Sequence, residues 1–161
     1  MTSPAEGHKD CCGHPAAFLA NCPACGKPGR KVAGVTLDHQ LAPAHRSRLG
    51  ETAGFCTNPD CEVIYYNSAV TIRKGETLLP VTQKNPGDDV YVCYCFGIKR
   101  SDIRRDLAVA GTTGIPDRVK QGIAEGRCEC EKKNPQGSCC LGNVAVEIRK
   151  IKEEVKTHDK K

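Results

Sequence analysis

From Leu141 onward, apolar residues recur at Val144, Ile148, Ile151 and Val155. This is helical spacing, so the pattern predicts a helix that starts near Cys140 and carries one apolar face. Upstream, Ser101 offers an N-cap for a helix over 102–110, which Gly111 would stop. Pro116 suits the first turn of another helix that runs to Glu125 and ends at Gly126. Three helices on one small core are expected for this half of the chain. The earlier half has a different texture. Short apolar runs at Phe55-Cys56, Val63–Tyr66, Val70–Arg73 and Leu78–Thr82 are split by glycine and proline, and they read as strands. A short helix is expected over 36–49, interrupted near Pro43. Asn85-Pro86-Gly87-Asp88-Asp89 is turn chemistry and reads as a linker. Val90–Cys93 follows it as one more strand. Residues 1–20 show no periodicity and are expected to be a flexible tail. The expected fold is α+β: a small β-rich module over 21–84, then a small helical module over 85–161.

Composition sharpens the picture. Aromatics make up 4% of the 161 residues and tryptophan is absent, so both cores are thin and need staples. The 12 cysteines can supply them as disulfides or as metal sites. The N-terminus lacks a basic stretch followed by an apolar one, and no run reaches membrane-spanning length. A cytoplasmic protein without membrane insertion is expected, whose reduced thiols favour metal over disulfide.

The cysteines fall into groups. Cys22-Pro23-Ala24-Cys25-Gly26 is a knuckle that presents two thiols on a tight turn. Cys56 and Cys61 form a second close pair beyond a long spacer. Two turns that each offer two sulfurs make a closed tetrahedral shell, which reads as structural Zn(II). The second group holds Cys93, Cys95, Cys128, Cys130, Cys139 and Cys140. Cys-x-Cys is too tight for the usual zinc knuckle and suits two thiols gripping one iron, so four of these six are expected to bind a 2Fe-2S cluster. The residues alone leave open which four. Helix amides beyond Cys140 would favour thiolate there. In the tail, His8, Cys11, Cys12 and His14 are a candidate capture site for a soft ion such as Cu(I). His39 and His45 read as surface residues.

These readings change the charge argument. The formal net charge is +5. Two four-thiolate sites filled by Zn(II) and an oxidised 2Fe-2S core bring it to about +1. Acids alternate with the C-terminal lysines, and aromatics are few, so nucleic acid is not an expected partner. There is no Gly-rich phosphate loop and no Ser/His/Asp or Cys/His constellation. With no evident general acid or base, a hydrolase or transferase is not expected, and any activity would be one-electron metal reduction.

The motifs together resemble a known family. A Cys-Pro-x-Cys pair, a second pair ahead of Val63-Ile64-Tyr65-Tyr66, Val92-Cys93-Tyr94-Cys95, and Cys130 followed by Asn134-Pro135-Gln136-Gly137-Ser138-Cys139-Cys140 occur in that order over residues 22–142. This is similar to the N-terminal half of CopZ-type copper chaperones. The second module also resembles bacterioferritin-associated ferredoxin and the central domain of NifU-type scaffolds. The resemblance implies zinc on Cys22, Cys25, Cys56 and Cys61, and a 2Fe-2S cluster on Cys93, Cys95, Cys130 and Cys140. Cys130 is taken over Cys128 for its distance to Asn134-Pro135, although the ferredoxin-like relatives favour Cys128. CopZ-type proteins continue into a heavy-metal domain that has no counterpart in this sequence. Cys11-Cys12 is then the first candidate for Cu(I), with Cys128 and Cys139 second. The expected function is a metallochaperone-like role in copper or soft-metal handling, with a copper-exporting ATPase or a redox protein as partner. The alternatives are a ferredoxin-like electron carrier for a reductase and an iron-free zinc-ribbon adaptor.

Overall fold

The computed structural model describes residues 19–160. His8, Cys11, Cys12 and His14 lie outside them. The first half is built on an antiparallel sheet of β1 (Gly29–Ala33), β2 (Thr52–Cys56), β3 (Val63–Tyr66) and β4 (Thr71–Arg73), ordered β1-β2-β3-β4. Gly29 pairs with Cys56, Phe55 with Tyr65 and Tyr66 with Thr71. Between β1 and β2 the chain makes α1 (Gly34–Gln40) and α2 (Pro43–Arg46). Pro43 splits the expected 36–49 helix because a ring without an N–H is tolerated only at a helix start. Leu37, Leu41, Leu49, Phe55, Ile64 and Ile72 close the core of this half.

Two strand expectations need correction. Leu78–Thr82 is not a strand. Pro80 removes a ladder donor, and Leu78 stays 59% exposed, with its N–H bonded to the Gln40 carbonyl at 2.8 Å. The chain then tightens into a 3-10 turn, Thr82–Lys84. Conversely, β1 has no counterpart among the strands read from sequence. Its Arg30 and Lys31 are exposed and only Val32 is buried, too faint an alternation to register.

In the second half, β5 (Tyr91–Cys93) and β6 (Ile98–Lys99) form a hairpin whose turn carries Cys95. Then come α3 (Arg100–Ala110), α4 (Ile115–Ala124), α5 (Cys130–Lys133) and α6 (Leu141–His158). Both α3 and α4 pack on α6. Val144 and Ile151 of the α6 stripe are buried, while Leu141, Ile148 and Val155 flank them. The start of α3 is corrected: Ser101 lies inside its first turn, and Asp102 caps it instead, with Oδ2 accepting the Lys99 N–H at 2.9 Å. A short carboxylate reaching back over one turn satisfies an orphan donor and suits the positive helix end. No helix among the described residues is long and apolar enough to cross a membrane.

The linker is held rather than loose. Arg100, at the start of α3, donates to the carbonyls of Thr82, Asn85 and Gly87 at 3.1, 2.8 and 2.5 Å. The same guanidinium makes a two-pronged pair with Glu147 of α6 at 2.8 and 3.3 Å, and both side chains are only 7% exposed.

Candidate metal centres

The first centre sits at one end of the sheet. The Cys22 N–H bonds the Lys27 carbonyl at 2.9 Å, and the Gly26 N–H bonds the Cys22 carbonyl at 2.8 Å. Closing so tight a turn requires φ 74° at Gly26, a conformation that a side chain disfavours. Cys22 and Cys25 therefore face the same way. Cys56 ends β2, and Cys61 precedes β3 after a turn pinned by Asn58, whose Oδ1 accepts the Asp60 N–H at 3.2 Å. The two turns bring the four Sγ atoms within 4.8 Å of one another. Cys22 lies 3.9 Å from Cys61, and Cys25 lies 3.7 Å from Cys56. A tetrahedral Zn(II) with bonds of about 2.3 Å holds its sulfurs about 3.8 Å apart, so the donor set fits that ion. Cys22, Cys56 and Cys61 are buried and only Cys25 is half-buried.

The electrostatics are uneven. The Lys27 amide is the main cause that pulls Cys25 down to about 6. Burial pushes Cys56 up to about 12 and raises Cys61. Lys84 compensates nearby. It is 5% exposed, and its ammonium donates to the Asn58 and Cys61 carbonyls at 2.7 and 3.1 Å. A buried cation beside four thiolates offsets the −2 charge of a filled Zn(II) shell.

The second centre lies in the other half, where the β5–β6 hairpin, the loop before α5 and the start of α6 converge. Cys93 and Cys140 are 2.9 Å apart, Cys140 and Cys130 are 3.8 Å apart, and Cys130 and Cys95 are 3.3 Å apart. Cys95, Cys128 and Cys130 lie within 4.8 Å of one another. Five of the six candidate sulfurs thus share one place. Cys139 is exposed and its neighbour Cys140 is buried. Backbone amides point at the sulfurs. The Glu129 N–H donates to Cys95 at 3.2 Å. Amides of Phe96 and Cys95 pull Cys93 down, after a larger pull from the Cys140 thiol. Cys130 is lowered to about 5, first through Cys140 and then through Cys95 and the Cys140 amide. Cys140 is pushed up by Cys130 and Cys93, while burial raises Cys95 and Cys128.

The five sulfurs are graded in exposure. Cys93, Cys130 and Cys140 are 0–5% exposed, whereas Cys95 and Cys128 are half-buried. A cleft of about 390 Å³ lined by Phe96, Arg118, Gln121 and Arg127 opens on Cys95. A second of about 590 Å³ opens on Cys128, Cys130 and Cys139. His39 is exposed on α1, and His45 faces Glu76 at 3.6 Å. Sequence reasoning missed Lys84 as a resident cation, since nothing in Thr82-Gln83-Lys84 marks one lysine among many as buried. It also missed that α1 and β3 reach the second centre.

Comparison with known proteins agrees with the first centre. Residues 19–78 match the zf_CopZ family of zinc-binding domains, so the β-rich half contains a CopZ-like zinc-binding domain. The copper chaperone CopZ of Archaeoglobus fulgidus is 29% identical over 123 residues, which cover 76% of this chain and 58% of that protein. The chain therefore spans little more than half the length of that relative. The X-ray structure of the Archaeoglobus fulgidus CopZ N-terminal domain superposes with a TM-score of 0.67 at 26% identity, covering 78% of this chain and 95% of that one.

Proposed function

We propose that this is a metallochaperone-like protein for copper or another soft metal, with Zn(II) on Cys22, Cys25, Cys56 and Cys61 and a 2Fe-2S cluster on Cys93, Cys95, Cys130 and Cys140. The second sulfur group carries the reading. Five thiols gathered from a hairpin, a loop and a helix start include the four ligands that a 2Fe-2S cluster takes, and N–H groups aimed at sulfur are what a cluster of net negative charge needs. Similarity to a copper chaperone over 76% of the chain supplies the link to copper.

Held by these residues and reduced by a partner protein, a 2Fe-2S cluster would supply single electrons, the chemistry needed to turn one Cu(II) into the Cu(I) that thiolates bind well. The chain's own residues set the rest. Cys130 stands between Cys95 and Cys140, which supports it over Cys128 as a ligand. Exchange with the outside would run at the edge formed by Cys95 and Cys128, because the other three sulfurs are buried. Cys128 and Cys139, left over by this assignment, line the cleft beside that edge. In the tail, Cys11 and Cys12 with His8 and His14 remain candidates for Cu(I) capture. A copper-exporting ATPase fits as receiver. The second reading, an electron carrier for a separate reductase without a copper role, is favoured by the half-exposed Cys95, through which a partner protein would reach the cluster.

Prepared without oxygen, the protein is expected to be red-brown, to hold about two irons and one zinc, and to give an EPR signal when reduced. A colourless, zinc-only protein would overturn the cluster. Competition for Cu(I) against a chelator, with and without Cys11→Ser/Cys12→Ser, separates the two readings. No copper retained at all leaves the electron carrier. Iron lost with Cys128→Ser and kept with Cys130→Ser would reverse the ligand choice.

A further inference from the structure

Successive residues of a strand face opposite sides, and on β3 the two sides lead to the two thiol centres. Tyr66 is fully buried among Cys22, Cys56, Cys61 and Val63. Its ring lies so close to the neighbouring strands that a Cβ at Gly54 would come within 2.3 Å of it. Its hydroxyl donates to the Ala20 carbonyl, at 3.3 Å, just ahead of the first zinc turn. Tyr65 is equally buried, but its hydroxyl donates to the Pro135 carbonyl at 2.5 Å. Pro135 lies midway along the loop between Cys130 and Cys140. Burial holds the Tyr65 phenol well above its ordinary value, so the donor proton stays in place.

Two more side chains of the same half hold the same loop. Thr36 donates to the Glu131 carbonyl, and Gln40 Nε2 donates to the Lys133 carbonyl at 2.9 Å. They stand one turn apart on α1. The three accepting carbonyls belong to alternate residues, 131, 133 and 135. A helix as short as α5 leaves its last carbonyls orphaned, and here donors from the β-rich half take them up. At Gly137, with φ 69°, a Cβ would meet Thr36 Oγ1 at 3.1 Å and Val32 at 3.3 Å, so the loop is seated directly on β1 and α1. The loop's shape is therefore set by a module with a lean core, and such modules depend on their metal to stay folded.

We propose that β3 couples the two centres: metal on Cys22, Cys25, Cys56 and Cys61 fixes Tyr66, and with it the grip of Tyr65 on the loop between Cys130 and Cys140, so that each centre holds its metal more tightly when the other is filled. This rests on the cluster assigned above. Tyr65 is a positioning residue, and reciprocity is required by linkage.

The test uses the full chain, wild type and Tyr65→Phe, with Thr36→Val as a second, near-isosteric variant that removes another buried donor to the same loop. Apparent zinc affinity is measured by chelator competition in iron-loaded and iron-free protein. One buried hydrogen bond is expected to give the wild type about three- to tenfold tighter zinc when iron is present. Tyr65→Phe should keep zinc and its urea midpoint within a modest shift, yet lose most of that difference, and Thr36→Val should lose part of it. Zinc affinity that ignores iron in the wild type, or a difference unchanged in both variants, overturns the coupling while leaving the cluster assignment standing. A chain that binds no iron overturns both.

Discussion

The two thiol centres are built on opposite plans. The first draws four sulfurs from two tight turns at one end of one sheet, with the two measured separations at 3.9 and 3.7 Å. The second draws five from a hairpin, a loop and a helix start, with separations from 2.9 to 3.8 Å. The first is close to the regular tetrahedron of a single ion and leaves no position for water, which suits a structural role. The second is irregular and graded, buried at Cys93 and Cys140 and half-open at Cys95 and Cys128. Closure serves a fold, and an open edge serves exchange with the outside. The irregular centre also borrows its support, since three of its loop carbonyls are held by side chains of the other half.

The largest effect should come from breaking the regular centre. Cys56 is fully buried at the end of β2. Structural zinc contributes about 10–16 kcal/mol in small domains, more than most domains have to spare. Cys56→Ser should therefore abolish zinc binding and unfold the β-rich half, read by zinc content and by proteolysis between residues 29 and 73. Cys139→Ser, at an exposed thiol, should change neither zinc nor melting. A Cys56→Ser protein with one zinc and the wild-type melting curve would show that the closed shell is not needed.

How much of this was legible in the sequence follows the same divide. The regular centre depends on local turns, and Cys22-Pro23-Ala24-Cys25-Gly26 shows its turn in its residues. The α6 stripe was legible for the same reason, because a 3.6-residue period survives in one dimension. The support of the irregular centre was not. Tyr65 and Pro135 are 70 residues apart, and a tyrosine in an apolar run looks like any core residue until its hydroxyl is seen to find a carbonyl. The failed strand at Leu78–Thr82 has a related cause. Two leucines and a valine satisfied the strand pattern, but Pro80 and the pull of Arg100 on Thr82 decided the backbone.

The next effect in size lies at the seam between the halves. Arg100 and Glu147 are buried together, and Arg100 also holds two linker carbonyls and that of Thr82. Arg100→Met should leave Glu147 with only Lys150 at 3.7 Å and the linker carbonyls unpaired. A loss of about 3–5 kcal/mol is expected in urea unfolding. Arg104→Met removes exposed pairs with Asp88 and Glu154 and should cost no more than about 1 kcal/mol. Equal losses in the two variants would mean that the linker is not clamped.

The smallest effect separates the centres by pH. In the metal-free fold, the Lys27 amide lowers Cys25 to about 6, while burial raises Cys56 to about 12. At pH 7 Cys25 is already a thiolate and gives up no proton to an incoming ion, whereas Cys56 must lose one. As pH falls through about 6, Cys25 takes up a proton that zinc must then displace. The apparent zinc affinity should therefore fall with acid at every pH, and below about 6 it should fall more steeply, by about a further factor of ten per pH unit. Competition titrations between pH 8 and pH 5 would show the bend. In the second centre Cys93 and Cys130 are both lowered, Cys130 to about 5, and in each case mainly by other sulfurs rather than by a backbone amide. A straight line through pH 6 for zinc would mean that the Lys27 amide does not hold Cys25 as a thiolate.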